Sequence, residues 1–439
     1  MLFTIDKQSV DELKLMGKFR HDSVYHLFNK VKTRDGEKLL DNLFKSPLTD
    51  ASQINERAGI FRFFESINIQ FPFDPEQVLT MREYVESVNS GGKLYSLGNL
   101  LIKRSLSTLI GDDRYKKIIQ GLQATISILK KCRDFTDQLD FHAGPYNVRV
   151  KTIKELLSTE PVAALTDTDI YQSLSLTSVA NFDHLIRNKL NAYIRDVLLF
   201  IAEADVFIAV SQVSRERGFN YAQALPASAN TLQIEDLRHP SMENAVGNNL
   251  HMNSSQNVLF LTGANMAGKS TWMKSIAIGV YLAHIGFPVP AKSMQFSVRE
   301  GIFSSINVAD NIGLGYSHFY AEVVRVKEAA KATSTGKHLL VLFDELFKGT
   351  NVKDAYDGTL AVTKAFADYV NCFFVVSTHI IEVGEALKKH NNIQFRYMPT
   401  IMENTRPRYT YKLEEGITQD RQGMLIIKNE GILELIAGE

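Results

Sequence analysis

The stretch Gly263-Ala264-Asn265-Met266-Ala267-Gly268-Lys269-Ser270-Thr271 fits the pattern G-x-x-x-x-G-K-[S/T], and it limits the fold more than any other stretch. Before it, Asn257 to Thr262 is a short apolar run of strand type. After it, Trp272 to His284 reads as a buried helix, with Met273, Ile276, Ile278, Val280 and Leu282 among its apolar positions. Strand, glycine-rich turn and helix are the context in which such a loop cradles phosphate. The glycines let successive N–H groups face one point, and the helix N-terminus adds its partial positive charge. In that arrangement Lys269 reaches the β- and γ-phosphates and the Ser270 hydroxyl binds Mg²⁺. A glycine-rich turn entering an ordinary helix would satisfy the same pattern, so a second motif is needed.

Leu339-Leu340-Val341-Leu342-Phe343 supplies it, an apolar run that ends in Asp344-Glu345. Such a run reads as a buried parallel strand delivering two acids at its C-terminal edge, where open α/β sheets bind ligands. Asp344 is expected to hold Mg²⁺ through its water shell, and Glu345 to orient or deprotonate an attacking water. Ser377-Thr378-His379 follow a third apolar run, Cys372 to Val376. A histidine at such a strand end can sense a γ-phosphate or stabilise its displacement. Residues 236–439 as a whole alternate short strands and helices, the α/β signature.

Length suits two or three domains, with 45% hydrophobic and 22% charged residues in a chain of 439. Lys+Arg and Asp+Glu both number 49, so no global charge advertises a polyanion partner, and any nucleic-acid contact needs a local basic surface. Cys132 and Cys372 are the only cysteines, far apart, which points to a reducing compartment. The N-terminus lacks the form of a signal peptide. The most apolar segment, 197–213, contains Glu203 and Asp205, so no membrane span is expected and the location should be cytoplasmic.

The first half reads as helical. Residues 7–30 are expected to form one helix, followed by a turn at Asp35-Gly36 and a helix from Glu37 to Phe44. Pro47 then breaks the pattern, and Thr49 or Asp50 can cap the next helix. Helical text runs from Pro72 to about Ser158, with breaks at Ser90-Gly91-Gly92, Gly111-Asp112-Asp113 and Gly144-Pro145. Residues 159–178 read as a turn-rich interruption. A single helix longer than the globular norm is then expected from Asn181 to about Arg217. Between Lys93 and Arg133 nine basic residues face only Asp112 and Asp113, a local net of +7. That stretch is either a solvated helix surface or a surface that tracks phosphates.

The wording of the chain resembles the MutS family of DNA mismatch-repair ATPases. In the first half the resemblance rests on Lys32-Thr33-Arg34-Asp35-Gly36-Glu37-Lys38-Leu39-Leu40, Ser46-Pro47-Leu48-Thr49-Asp50 and Ile54-Asn55-Glu56-Arg57. In the second half it runs through Asp236-Leu237-Arg238-His239-Pro240, the phosphate loop with Asn265-Met266, and Gly315-Tyr316-Ser317-His318-Phe319. It continues through Asp344 to Asn351, Thr378-His379 and Tyr411-Lys412-Leu413 with Gly416. The resemblance implies an all-α core and lever domain over 1–235, then an α/β ABC-type P-loop ATPase domain over 236–439. It also implies ATP and Mg²⁺ as cofactors and a nucleotide-sandwich dimer, with Ser317 reaching the partner's nucleotide.

This chain departs from the family pattern in several places. The mismatch-reading domain with its Phe-x-Glu wedge has no counterpart in the sequence, and the lever region is short. Ala245-Val246-Gly247-Asn248 stands where the family commonly places an aromatic that stacks on adenine. His318 replaces a Thr, and Phe347-Lys348 replaces a Gly-Arg pair in what reads as a surface loop. Three readings follow. The first is an ATP-dependent protein that binds double-stranded DNA, mismatched or branched, as a homodimer in mismatch repair or recombination control. The second is an ATPase switch whose helical half binds a protein. The third, a transporter subunit, is disfavoured by the long helical half and the lack of a Leu-Ser-Gly-Gly signature. The +7 stretch favours the first.

Overall fold

The computed structural model describes residues 2–17, 21–87, 113–142, 144–168, 175–306, 318–403 and 406–419. They form two compact units. One comprises Met1–Phe28, Ser46–Ala58 and Ser214–Glu439, and the other Asn29–Lys45 and Gly59–Val213. Residues 1–28 and 46–58, read from the sequence as part of the helical half, therefore pack with the strands.

The chain opens with strand β1 (Thr4–Ile5) and helices α1 (Lys7–Glu12) and α2 (Val24–Phe28). The single helix expected over 7–30 is interrupted, because Lys14 turns left-handed at φ +49°. The Lys14 and Leu15 carbonyls accept the N–H groups of Val24 and Tyr25 at 2.9 and 3.0 Å, which sets the start of α2 beside the break. Apolar spacing is the same on both sides of this break, which is why periodicity runs through it.

The helical unit begins with α3 (Arg34–Lys45) and takes in α4 (Ala51–Ile67) from Gly59 onward, then α5 (Pro75–Glu86), α6 (Arg114–Phe141) and α7 (Asn147–Ser158). Asp35-Gly36, expected as a turn, lies inside the first turn of α3. Thr33 Oγ1 accepts the Gly36 N–H at 3.0 Å and so caps the helix earlier than expected. The buried Asp205 carboxylate holds that cap, accepting from Lys32 N–H, Thr33 N–H and the Thr33 hydroxyl at 3.0, 2.7 and 2.7 Å. Asp50 does cap α4, accepting from Gln53 N–H at 2.9 Å.

The expected interruption at 159–178 contains helix α8 (Glu160–Thr166), with Pro161 in its first turn where a missing N–H costs nothing. The long helix expected from Asn181 is two helices, α9 (Leu176–His184) and α10 (Asn191–Arg217), joined by a π-turn at Leu185–Lys189. One extra residue in that turn shifts register without disturbing the apolar pattern, so the sequence conceals it. Helix α10 is long and apolar enough to cross a membrane, yet 78% of its apolar window is buried inside the protein as a core helix. Its Phe207 packs against Phe61, Phe64 and Tyr146 and its Phe200 against Phe135, edge to face or tilted. The break expected at 90–92, residues 111 and 112 of the next one, and the side chains of Lys93, Lys103, Arg104 and Arg114 lie outside what is described.

The unit that opened with β1 continues with β2 (Asn220–Tyr221), β3 (Gln223–Leu225), β4 (Thr231–Leu237), β5 (Asn248–Asn253), β6 (Val258–Gly263), α11 (Lys269–His284), β7 (Pro288–Val289), β8 (Ser293–Ser297) and β9 (Gly301–Ser305). Then come α12 (His318–Thr333), β10 (Leu339–Asp344), α13 (Val352–Ala367), β11 (Phe373–Ser377), α14 (Ile381–Leu387), β12 (Ile393–Met398), β13 (Thr400–Glu403), β14 (Arg406–Tyr409) and β15 (Glu414–Glu415). A seven-stranded sheet has the order β1-β9-β10-β11-β6-β12-β15, and a smaller one the order β3-β8-β4-β5. Every pairing in the large sheet is parallel except β12 with β15. Helix α11 touches both sheets, which explains why it is apolar all round. On the other side of the large sheet, Phe366 of α13 stacks between Phe343 and Phe374, with ring centroids 5.5 and 4.9 Å away.

Candidate functional site

Strands β10, β11 and β6 lie side by side and run the same way, so their C-terminal ends open on one edge. Asp344 pairs with Ser377, and Ser377 with Leu261, which sets the three strand ends in one row. The glycine-rich turn begins just beyond Leu261 and Thr262, on the edge that carries the two acids.

Gly263 lies at φ +146°, Met266 at +70° and Gly268 at +102°, so the loop turns through conformations that side chains other than glycine rarely adopt. Ala267 is buried beneath the loop, while Asn265 and Met266 face outward. Ser270 and Thr271 open α11 with their backbone N–H groups at its N-terminus. Lys269 is 5% exposed, and its ammonium donates to the Gly263 and Ala264 carbonyls at 2.8 and 3.0 Å. Burial pulls its pKa below the ordinary lysine value, and the nearby Glu345 and Asp344 carboxylates pull it back up. The loop lysine and both acids thus lie at the same edge of the sheet, within electrostatic reach of one another.

The Ser377 hydroxyl donates to Asp344 Oδ1, orienting that carboxylate. Glu345 stands at φ +54° and donates its N–H to the Ser377 carbonyl at 2.9 Å. Its carboxylate lies 3.8 Å from His379 Nδ1 and 4.0 Å from Lys348 Nζ. The His379 side chain is 54% exposed at the end of β11. Ser270 and Asp344 together present a hydroxyl and a carboxylate oxygen, the hard donor set suited to Mg²⁺. Ser317 lies outside the described residues.

Two features went unseen in the sequence. Beside the loop is a cavity of about 430 Å³, lined by Met266, Gly268, Thr271, Trp272, Met398 and Tyr411 among others. Tyr411, 45% exposed, approaches Gly268 so closely that a Cβ there would sit 3.0 Å from its ring. Asn248 ties this strap down, donating to the Tyr411 carbonyl at 2.9 Å and accepting the Leu413 N–H at 2.8 Å. An aromatic is thus present, although it comes from the distant tail and not from 245–248. Phe347, read as part of a surface loop, is buried at φ +62° and packs its ring 6.1 Å from Phe319. Both residues fall in stretches that carry the family resemblance, but only spatial proximity reveals what each one packs against.

The basic stretch is partly committed to packing. Lys130 donates to the Thr168 carbonyl at 2.8 Å, at the end of α8, and Arg133 pairs with Asp167 at 3.3 Å. Lys116 and Lys117 are exposed, the former paired with Asp113 at 3.2 Å.

The family model for MutS domain V matches residues 259–437, and that for MutS domain III matches residues 8–211. A DNA mismatch repair protein MutS from Geobacillus sp. (strain WCH70) is 30% identical over 251 residues, covering 54% of this chain and 28% of the relative. One from Lactobacillus delbrueckii subsp. bulgaricus is 29% identical over 263 residues, covering 58% and 30%. Another, from Pseudothermotoga lettingae, is 23% identical over 522 aligned residues, covering 98% of this chain and 63% of the relative. The chain thus spans 28% to 63% of the length of these relatives. With one match running through the helices, another carrying the phosphate loop and the acid pair, and a relative aligned along almost its whole length, the chain belongs to the MutS family.

Proposed function

We propose that the chain is an ATP-driven switch that acts on double-stranded DNA, with residues 236–439 as an ABC-type P-loop ATPase. The observation that carries this reading is the meeting of Lys269, Asp344 and Glu345 on one sheet edge, beside a cavity with room for a nucleoside. Loop N–H groups and Lys269 bind the β- and γ-phosphates, and Ser270 with Asp344 hold Mg²⁺. The bound metal neutralises charge on the transferring phosphoryl group. Glu345 orients the attacking water, His379 faces the γ-phosphate, and Tyr411 stacks on the base. Ser317 completes the site of a second copy, so ATP draws two chains into a homodimer. The setting is cytoplasmic, and the cargo is mismatched or branched DNA in repair or recombination control.

Nucleotide binding and steady-state hydrolysis, measured on two variants, test the assignment. Lys269→Ala should lose Mg·ATP binding, whereas Glu345→Ala should bind and fail to turn over. Equal loss of binding in both would sink the separate roles of the two residues.

The packing of Lys130 and Arg133 supports a second reading, in which the helical unit grips a protein. With fewer free cations, DNA affinity should depend weakly on salt. Loss of about one unit of log–log salt slope per charge on neutralising Lys116 and Lys117 supports DNA. An unchanged slope supports the protein partner.

A further inference from the structure

The arm at the start of the chain is bonded to the large sheet at β9 by polar contacts that the proposed chemistry does not use. Glu12 Oε2 accepts the Ser304 hydroxyl at 2.7 Å and the Ile306 N–H at 3.0 Å. Its other oxygen accepts the Gln8 side-chain amide at 2.7 Å. Ser9 Oγ accepts the Ser304 N–H at 2.8 Å and an Arg325 N–H at 3.0 Å. Arg325, 5% exposed, forks onto Asp6 at 2.8 and 3.1 Å and lies 3.7 Å over the Phe303 ring. Ser304 and Ile306 flank the C-terminal end of β9. That strand is the neighbour of β10, with Ser305 paired to Phe343, the residue before Asp344. The arm therefore closes the end of the strand against which the two acids are set.

We infer that Glu12 is a positioning residue for hydrolysis, holding the end of β9 so that Asp344 and Glu345 stand at the distance the reaction needs. This rests on the reading of those acids as metal and water residues given above. Sheet order makes the effect selective. The phosphate loop leaves β6, which is separated from β9 by β10 and β11, and the cavity lies beyond it with Met398 of β12. A loosened β9 end shifts the acids and leaves the loop N–H groups and Lys269, which follow β6, where they are. The result is a loss in kcat with little change in KM. The two donors to Oε2, a peptide N–H and a hydroxyl, are neutral, so a carboxamide oxygen still accepts from them, and the Gln8 amide can turn its own oxygen to the new NH2 group.

The test is steady-state Mg·ATP hydrolysis by the full chain and by Glu12→Ala, Glu12→Gln and Ser304→Ala. Misplacing reacting groups by a fraction of an ångström should lower kcat about tenfold in Glu12→Ala, with KM within about twofold. Glu12→Gln should recover most of the rate, and Ser304→Ala, which removes one of the two bonds, should fall between. If Glu12→Ala does not fold, the comparison passes to Ser304→Ala against Glu12→Gln. An unchanged kcat in Glu12→Ala, or in Ser304→Ala where that variant carries the test, overturns the positioning role alone. So does a rise in KM that matches the fall in kcat. No hydrolysis by the unaltered chain overturns the ATPase reading itself and this role with it.

Discussion

Glu345 donates its N–H to the Ser377 carbonyl at 2.9 Å while standing in the left-handed region at φ +54°. The bond extends the β10–β11 ladder one residue past the strand, and the reversed backbone separates two consecutive carboxylates. Asp344 turns to the Ser377 hydroxyl, and Glu345 turns to His379 and Lys348. A left-handed non-glycine residue costs about 1 kcal/mol, and such strain at a site is held by the surrounding ladder.

Glu345→Gly should relieve that strain. Thermal unfolding should show a gain of about 0.5 kcal/mol or more, while ATP turnover disappears. A clear loss of stability would mean that the contacts of Glu345 with His379 and Lys348 outweigh its backbone strain.

Tyr411→Ala should weaken nucleotide binding about tenfold, since an aromatic contact contributes roughly 0.5–1.5 kcal/mol beyond its buried area. Tyr411→Phe should bind as the unaltered chain does. Tripolyphosphate, which has no base, should bind the unaltered chain and Tyr411→Ala alike in a competition titration. Equal weakening for tripolyphosphate would place Tyr411 on the phosphates instead.

In helix interiors Gly→Ala normally stabilises by roughly 0.5–1 kcal/mol. Gly36→Ala should do the reverse, because a Cβ there would collide with Asp205 Oδ2 and crowd Thr33 Oγ1. The collision forces the carboxylate off the N–H groups it caps, so denaturant unfolding should report a loss of about 2 kcal/mol. A stabilised variant would show that the cap can move aside.

His284 is fully buried and neutral. Its Nδ1 donates to the Leu48 carbonyl at 2.7 Å, and its Nε2 accepts the Arg299 N–H at 3.2 Å. Burial lowers its pKa to about 4, below the ordinary 6.5. Between those two values the unfolded chain holds a proton that the folded chain does not. Stability from this group is therefore complete above pH 6.5 and falls as pH drops toward 4, by up to about 1.4 kcal/mol per pH unit. Urea unfolding at pH 7 and pH 5 should show the difference, and His284→Asn, which keeps a donor for Leu48 but cannot titrate, should reduce it. An identical pH dependence in that variant would assign the loss to other groups.

The elements that meet at the candidate site were legible in the chain because each is local. A loop that must curl its backbone around phosphate needs glycines at set spacing, and a buried strand that delivers acids shows as an apolar run ending in carboxylates. Gly263 to Thr271 and Leu339 to Glu345 are complete within a few residues each, and so were the helices whose apolar faces repeat every turn. What the tertiary structure decided depends on residues far apart in sequence. Tyr411 reaches the loop only because Asn248 ties down its strap, and Gly36 lies in a helix only because Asp205 caps the turn before it. Thr4-Ile5 joins the large sheet although two residues carry no period, and Phe347 is buried because Phe319 packs against it. Local pattern records the conformation a segment prefers, but these placements come from burial and hydrogen bonds between segments, which no single stretch of sequence contains.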